Sequence, residues 1–277
     1  MTSFQKVIKY VACALAIFLI VTIIGGIITG LTGISFLLSG KEKETPSEMQ
    51  TYSVEGEITS LSVDLSGAEL KIQTGDKFEV QSNHKYISVK TNNGKLTVSE
   101  TKKFFAISPK GITVILTVPE SFVFDEAEID TGAGKVEIGS LSVDVLELSL
   151  GAGKADIKNL TANSRAEIDG GAGELSIDGG RLCNLKLDMG VGKLTLKSRI
   201  EGKSELDMGV GETNIILLGS KADYKIELDK GIGTAKLQSE EMADDAVYGS
   251  GESIIEIDGG VGAISIDFSE DGTVTEF

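Results

Sequence analysis

Residues 185–196 read LKLDMGVGKLTL, and residues 204–215, nineteen positions further on, read SELDMGVGETNI. In both stretches, apolar and polar side chains alternate before and after a Gly-Val-Gly. This alternation has the period of a β-strand with one buried face. Two such runs on either side of a glycine pair predict two strands that meet at a tight corner. The similarity of the two stretches indicates an internal repeat.

The Gly-x-Gly recurs seven times between residues 132 and 262, and successive copies begin 19, 20, 19, 19, 22 and 29 residues apart. A degenerate copy, SGA, occurs earlier at residues 66–68. Glycine is favoured at such corners because it adopts positive φ and allows another backbone to approach closely. We therefore predict a structural turn role for Gly132 and Gly134, Gly151 and Gly153, Gly171 and Gly173, Gly190 and Gly192, Gly209 and Gly211, Gly231 and Gly233, and Gly260 and Gly262.

Two short strands bent at a glycine cannot bury an apolar stripe by themselves, whereas stacked copies bury it continuously. The predicted fold is therefore all-β, a β-helix-like solenoid of 19–20-residue coils. The pattern also allows a meander. The aromatic-rich residues 78–124 would cap one open end, and the insertion at residues 239–252 is interpreted as a loop. A third apolar position, which indicates a brief third strand or corner, recurs at Leu141, Leu160, Leu182 and Ile200.

The first forty residues differ in composition from the repeats. Residues 10–40 form an uncharged, mostly apolar run of 31 residues, whereas about 20 residues suffice to span a bilayer. The run is also longer than the core of a signal peptide. We predict an uncleaved signal anchor whose transmembrane helix spans residues 8–30. The predicted organisation is an anchor at residues 1–40, a polar linker at 41–50 and a repeat domain at 51–277.

The flanks of the apolar run suggest an orientation. A short basic tail with Lys6 and Lys9 precedes it, and such a tail favours a cytoplasmic N-terminus. We therefore expect a single-pass protein of the cell membrane with an extracytoplasmic C-terminal domain.

Thr22, Gly26 and Gly30 share one face of the predicted membrane helix, and small residues on such a face allow close helix–helix contact. Self-association through the membrane helix is therefore possible.

Charge and composition exclude several classes of function. The chain has 42 acidic and 26 basic residues, a net charge of −16. Nucleic acid binding needs a basic patch and is excluded, whereas basic partners or cations fit this charge.

His84 is the only histidine, and we interpret it as a surface loop residue. Cys13 lies in the apolar run and Cys183 in the repeats, so an internal disulfide between them is implausible.

Two outward-facing columns before the Gly-x-Gly are acidic. The fourth residue before the first glycine is Glu in six of seven copies, and the second is Asp in six of seven. Rungs stack about 4.8 Å apart, so neighbouring carboxylates repel. One explanation is local: each Asp accepts a hydrogen bond from an amide two residues on, in an Asx turn, and water screens the Glu column. The other is that divalent cations or a basic partner bridge the columns, with Asp169, Asp188 and Asp207 as candidate metal ligands.

Four features are informative together: ITSLSVDLSGAELKIQTGDKFEVQS from Ile58, GITVILTVPES from Gly111, the series of Gly-x-Gly corners and IEIDGGVGAISIDF from Ile255. In these features, over about residues 51–277, the chain resembles the bacterial β-strand-repeat proteins known as putative adhesins, many of which have one N-terminal membrane helix. The resemblance implies a β-solenoid-like domain at the cell surface. It supplies no catalytic residues, because the family has no established ones.

These observations favour a protein without enzymatic activity. Parallel β-helices can carry catalytic carboxylate pairs, but here the acids recur in every copy, whereas an active site is a single convergent set of groups. We predict a membrane-anchored surface protein that acts as an adhesion or interaction module for an unknown protein or glycan ligand, with no cofactor. The alternative is a cell-envelope sensor or scaffold that binds cationic peptides or divalent metals on its acidic face.

Overall fold

The computed structural model describes residues 47–101 and 111–270. These residues are almost wholly β-strand, with one short 3₁₀ helix at Lys221–Asp223, which confirms the all-β class for this part of the chain. The strands are β1 Gln50–Ser53, β2 Ser60–Leu65, β3 Glu69–Gly75, β4 Glu79–Ser82, β5 Ile87–Asn92, β6 Lys95–Glu100, β7 Thr113–Pro119, β8 Val123–Ile138, β9 Leu141–Ile157, β10 Leu160–Asp169, β11 Ala172–Ile177, β12 Gly180–Cys183, β13 Leu185–Glu201, β14 Lys203–Leu218, β15 Tyr224–Asp229, β16 Ile232–Leu237, β17 Glu240–Glu241, β18 Ala246–Gly249 and β19 Ser253–Ser269.

The predicted anchor at residues 1–40, including its helix at 8–30, lies outside the described residues. So does the predicted linker up to residue 46. In the two ranges that are described, no helix is long and apolar enough to cross a membrane.

Parallel pairing joins the repeats into a stack of rungs, each bent at its Gly-x-Gly. β8 pairs with β9, and β9 pairs with β10 and β11. β10 and β11 both pair with β13, which in turn pairs with β14. The register is constant, so Gly173 of one rung lies beside Gly192 of the next and Gly192 beside Gly211. The rungs therefore form a solenoid-like stack, and the alternative of a meander is excluded for them.

Alternation along each strand places one apolar column inside the stack on each side of the corner. Before the corner, Leu187 lies beside Leu206; after it, Leu196 lies beside Ile215. All four side chains are at most 1% exposed. Because full burial of a Leu or Ile side chain contributes about 1.5–3 kcal/mol, repetition of these columns along the stack is the main source of stability.

The predicted third apolar position forms a short third arm, but its residues do not make one column. Leu141 lies beside Leu160, whereas Leu182 lies beside Ala162 and Ile200. Coils differ in the number of residues between their second and third arms. Residues at the same distance from the preceding glycine are therefore not always neighbours in the stack. β10 also contains one extra residue between Ala162 and Arg165, a β-bulge relative to β9.

The spatial order of the rungs differs from their order in the sequence at both ends. β19, the last strand, pairs with β14 on one side and with β15 and β16 on the other. Similarly, β2 and β3 lie between β8 and the pair β6 and β7. The first and last repeats of the sequence are therefore each enclosed by a rung on both sides.

Antiparallel strands cover the two outermost rungs. β5 pairs with β6 and β4 with β7, so a cap forms within residues 78–124 as expected. At the other end, β18 pairs with β15 and β17 with β16. The interpretation of residues 239–252 as a loop is therefore wrong for the segments that form β17 and β18. The edge of the last rung would otherwise expose unpaired amides and carbonyls, and β17 and β18 form hydrogen bonds with part of this edge.

Candidate functional site

The Gly-x-Gly corners bring backbones of neighbouring rungs unusually close. At Gly192 φ is +145°, and a side-chain carbon added there would lie 1.8 Å from the carbonyl oxygen of Gly173. The first glycine of each Gly-x-Gly does not have the same backbone conformation in every rung. Gly171 has a positive φ of +53°. Gly190 is not among the positive-φ glycines, and an added carbon there would lie 2.5 Å from the Gly171 oxygen. Positive φ and close approach are thus separate constraints.

The residue between the two glycines is aliphatic and at least partly exposed in every copy. We call this set the corner row. In spatial order it consists of Ala133, Ala152, Ala172, Val191, Val210, Val261 and Ile232, which lie side by side in register. Val191 and Ile232 are 42% and 39% exposed. The sequence reasoning missed this surface because it treated the middle residue as a spacer, although the signal is visible in the sequence.

The predicted Asp column is continuous over the last five rungs of the stack. In spatial order the members of this Asp row are Asp169, Asp188, Asp207, Asp258 and Asp229. The structure therefore brings the three candidate ligands Asp169, Asp188 and Asp207 into one line. Asp188 is partly buried and the other four are exposed. Ser149 separates the row from Asp130 on the next rung.

Basic side chains compensate the neighbouring Glu column. The Lys203 ammonium lies 3.0 Å from a Glu256 carboxylate oxygen and 3.8 Å from one of Glu205. Lys186, which interrupts the Glu column, is 3.9 Å from Glu167 and 3.4 Å from Asp188. Such exposed pairs contribute little to stability, because water and salt screen them. Within residues 47–101 and 111–270, the pair with Lys186 is the one ion pair made by the Asp row.

The predicted Asx turns form in only part of the Asp row. Asp169 accepts a hydrogen bond from the Gly171 amide at 3.0 Å, and Asp229 accepts one from Gly231 at 3.1 Å. The prediction is wrong for Asp188, because its strand continues through the corner and the Gly190 amide donates to the Gly171 carbonyl at 3.1 Å instead. Asx turns thus occur where the first glycine has positive φ and the rung is split into two strands.

Asp207 has a raised pKa. Although the residue as a whole is exposed, partial burial of its carboxyl group is the largest cause, followed by a side-chain hydrogen bond with Asp188 and by the negative charges of Asp188, Asp258 and Glu205. A raised folded-state pKa means that the folded protein binds the proton more tightly than the unfolded chain does. This contribution to stability is present at low pH and is lost as the pH rises through the folded-state pKa.

We therefore expect Asp207→Asn to raise the free energy of unfolding near pH 7, by up to ~1 kcal/mol for the removal of one close like-charge contact in water. The gain should shrink as the pH falls or as sodium chloride is added. Urea unfolding between pH 4 and 7 measures this. The control is Asp156→Asn, which removes an ion pair with Lys154 at 3.7 Å and should not stabilise. A less stable Asp207→Asn protein at pH 7 would contradict the expected repulsion.

A denser group of acids lies at the end of the Asp row. Carboxylate oxygens of Asp229, Asp244 and Asp245 lie within 4.8 Å of one another, and all three residues are exposed. An Asp244 oxygen also accepts the Lys230 amide hydrogen bond at 3.1 Å. Carboxylates are the ligands that calcium and magnesium prefer. Sequence reasoning did not find this group, because residues 244 and 245 belong to the insertion and not to the repeat.

His84 lies in the connection between β4 and β5, as predicted, but not at the surface. It is 4% exposed, and its amide donates to the Ser82 hydroxyl at 3.0 Å. Its ring lies against Tyr86, with centroids 5.6 Å apart. Antiparallel strands on either side of this segment bury it, which local polarity could not reveal.

The family model for Toastrack DUF4097 matches residues 58–258. The chain belongs to the Toastrack DUF4097 family. This match covers the stack from just before β2 to Asp258 in β19. No curated protein matches the chain significantly.

Solved structures that match the chain come from several bacteria. One is a "putative adhesin" from Bacteroides fragilis, 14% identical, covering 80% of this chain and 98% of its own, with a TM-score of 0.38. Another is a "putative cell adhesion protein" from Clostridium sporogenes, 18% identical, covering 80% and 99%, with a TM-score of 0.35. A third is a "putative lipid binding protein" from Parabacteroides distasonis, 16% identical, covering 79% and 96%, with a TM-score of 0.36.

Proposed function

We propose that this chain is a membrane-anchored surface protein whose solenoid acts as an adhesion or interaction module and catalyses no reaction. The observation that carries the proposal is repetition on the outside of the stack. Successive rungs present the same kinds of side chain in register, as the corner row and the Asp row do. A row of like groups about 4.8 Å apart offers an extended binding surface, which is the usual function of solenoids.

The recurrence of the acids also argues against catalysis. An active site needs a nucleophile, a base and a stabilising group that converge on one point. In the Asp row the same carboxylate recurs on five neighbouring rungs, so no rung is chemically singled out. His84, the one histidine of the chain, is packed against Tyr86, so it is not an exposed base.

Membrane attachment rests on the uncharged residues 10–40, and the extracytoplasmic position of the domain on the basic tail before them. Protease added to intact cells should therefore remove the part of the protein that follows residue 40. Complete protection, in cells shown to be sealed by a cytoplasmic marker, would place the domain inside.

The interaction function is tested by capture from intact cell envelopes. Full-length protein held in lipid nanodiscs should retain a specific envelope protein or glycan, and empty nanodiscs should not. Capture should survive 0.5 M sodium chloride if apolar contacts contribute, because salt screens exposed charges beyond about 3–10 Å. Retention of the same material by protein and by empty nanodiscs would contradict the proposal.

The Asp229, Asp244 and Asp245 group favours a second candidate function, an envelope sensor or scaffold that binds divalent cations or basic partners. A bound ion stabilises a folded protein by mass action. For an adhesion module without a metal, we expect calcium at 5 mM to raise Tm no more than sodium chloride of equal ionic strength. A calcium-specific rise that is lost in Asp229→Asn and Asp244→Asn proteins would favour the second candidate instead.

A further inference from the structure

The larger aliphatic side chains of the corner row lie on neighbouring rungs at one end of the stack. Val191, Val210, Val261 and Ile232 follow one another in register, whereas the earlier rungs carry alanine at the same position. Val191 and Ile232 are 42% and 39% exposed, and Val210 and Val261 between them are partly buried. Such a run of aliphatic groups in contact with water is a feature of binding surfaces.

The same rungs carry the continuous part of the Asp row. In each rung the Asp comes three residues before the corner-row residue, as Asp188 does for Val191 and Asp207 for Val210. The aliphatic and acidic rows therefore run side by side along the stack. Partial burial is the largest cause of the raised pKa of Asp207, followed by a hydrogen bond with Asp188 and by repulsion from Asp188 and Asp258 on the adjoining rungs. Basic groups placed over the row would relieve this repulsion.

We propose that this surface binds a basic amphipathic helix of a partner protein, with the apolar stripe of the helix on the corner row and its Lys or Arg side chains over the Asp row. This inference rests on the proposed interaction function and names the chemistry of the partner. Five rungs extend about 19 Å at 4.8 Å per rung, and a helix covers that length in about 13 residues at 1.5 Å per residue. The arrangement is a variant of recognition by an amphipathic helix.

Charge complementarity decides between possible occupants. A second copy of the chain would bring a net charge of −16 and its own Asp row. An anionic membrane surface would be repelled in the same way. A basic helix gains on both rows: aliphatic contact supplies affinity, and the acidic row speeds association and selects the sign of the partner's charge.

The first test measures binding of a labelled helical probe, LKKLLKLLKKLLKLL, to full-length protein in nanodiscs of uncharged lipid, with empty nanodiscs as the background. The matched probe has glutamate in place of each lysine. We expect saturable binding of the lysine probe and none of the glutamate probe. Equal binding of the two probes, or no binding above background, would overturn the proposal.

Variants then locate the site. A Val210→Ser and Val261→Ser double variant, and an Asp188→Asn and Asp207→Asn double variant, should each weaken binding of the lysine probe about tenfold or more. The Asp variant should also show a weaker salt dependence. Val123→Ser is the matched control, since Val123 is 45% exposed but lies away from the corner, and it should bind within about twofold of the parent.

All variants should keep the circular dichroism spectrum of the parent, because none of the changed side chains is fully buried. Parent-like binding by both double variants would overturn the proposal. If the parent still captures an envelope component in that case, the proposed interaction function stands and the partner or surface is different. If the parent captures nothing, the interaction function itself fails.

Discussion

Replacement of Gly192 by alanine is expected to lower the free energy of unfolding by at least ~3 kcal/mol. Two effects add at this position. The φ of +145° is a conformation that a residue with a side chain rarely adopts, and the new carbon would lie 1.8 Å from the Gly173 carbonyl oxygen. The clash involves backbone on both sides, so the two rungs must separate. Urea unfolding followed by circular dichroism measures the loss.

Two other glycines separate the causes. At Gly134 φ is +139°, but an added carbon would lie 3.4 Å from the nearest atom, the Ala68 carbonyl oxygen. Gly139 is not among the positive-φ glycines, and its nearest contact would be at 3.6 Å. We expect a cost of about 1–3 kcal/mol for Gly134→Ala and less than ~1 kcal/mol for Gly139→Ala. Equal costs at all three positions would show that the corner geometry is not the constraint.

The second large effect is expected at Ile257, because the last rungs are attached to the stack through β19. Ile257 is 2% exposed and lies between Leu206 of β14 and Leu228 of β15. An Ile257→Asp change removes a packed side chain and buries an unpaired carboxylate, at a cost of about 4 kcal/mol or more. Hydrogen exchange should show loss of protection in residues 224–249 together with β19, while residues 123–200 keep theirs, since solenoid rungs depend mainly on their neighbours.

Ala263→Asp is the control for this experiment. Ala263 is exposed on the same strand, so the added charge stays in water and protection should change little. Retained protection in residues 224–249 of the Ile257→Asp protein would show that β15 and β16 are held by something other than β19.

The corner glycines and the acidic columns could be predicted from the sequence, because both repeat at a nearly fixed interval and strand alternation assigns each position to a face. The order of the rungs could not. Leu206, Leu228 and Ile257 occupy equivalent positions, and an apolar side chain fits any of the three rungs, so the repeat does not specify which strand follows β14. We attribute the observed order to the insertion at residues 239–252, because its strands β17 and β18 pair with β16 and β15 and so cover the outer edge of the last rung.

Hydrogen bonding within the Asp row was also beyond the sequence. Asp169 and Asp188 occur in the same local pattern, but one makes an Asx turn and the other does not. The difference depends on φ at the first glycine of the corner, which is +53° at Gly171. It also depends on whether a carbonyl of the neighbouring rung accepts the hydrogen bond of that glycine's amide, as the Gly171 carbonyl does for Gly190. The corner row, by contrast, was present in the sequence as an aliphatic residue in every Gly-x-Gly.

Cross-linking at the corner row tests most directly whether the last repeat lies inside the stack. In a chain with Cys13 and Cys183 replaced by serine, cysteines at 210 and 261 would lie on adjacent rungs, about 4.8 Å apart and within the Cα range of disulfides. Cysteines at 210 and 232 would lie two rungs apart, at about 10 Å, which is too far. Mass spectrometry after mild oxidation should find an intramolecular disulfide in the Val210→Cys and Val261→Cys protein and none in the Val210→Cys and Ile232→Cys protein. The reverse result would place β16 beside β14 and contradict the observed order of the rungs.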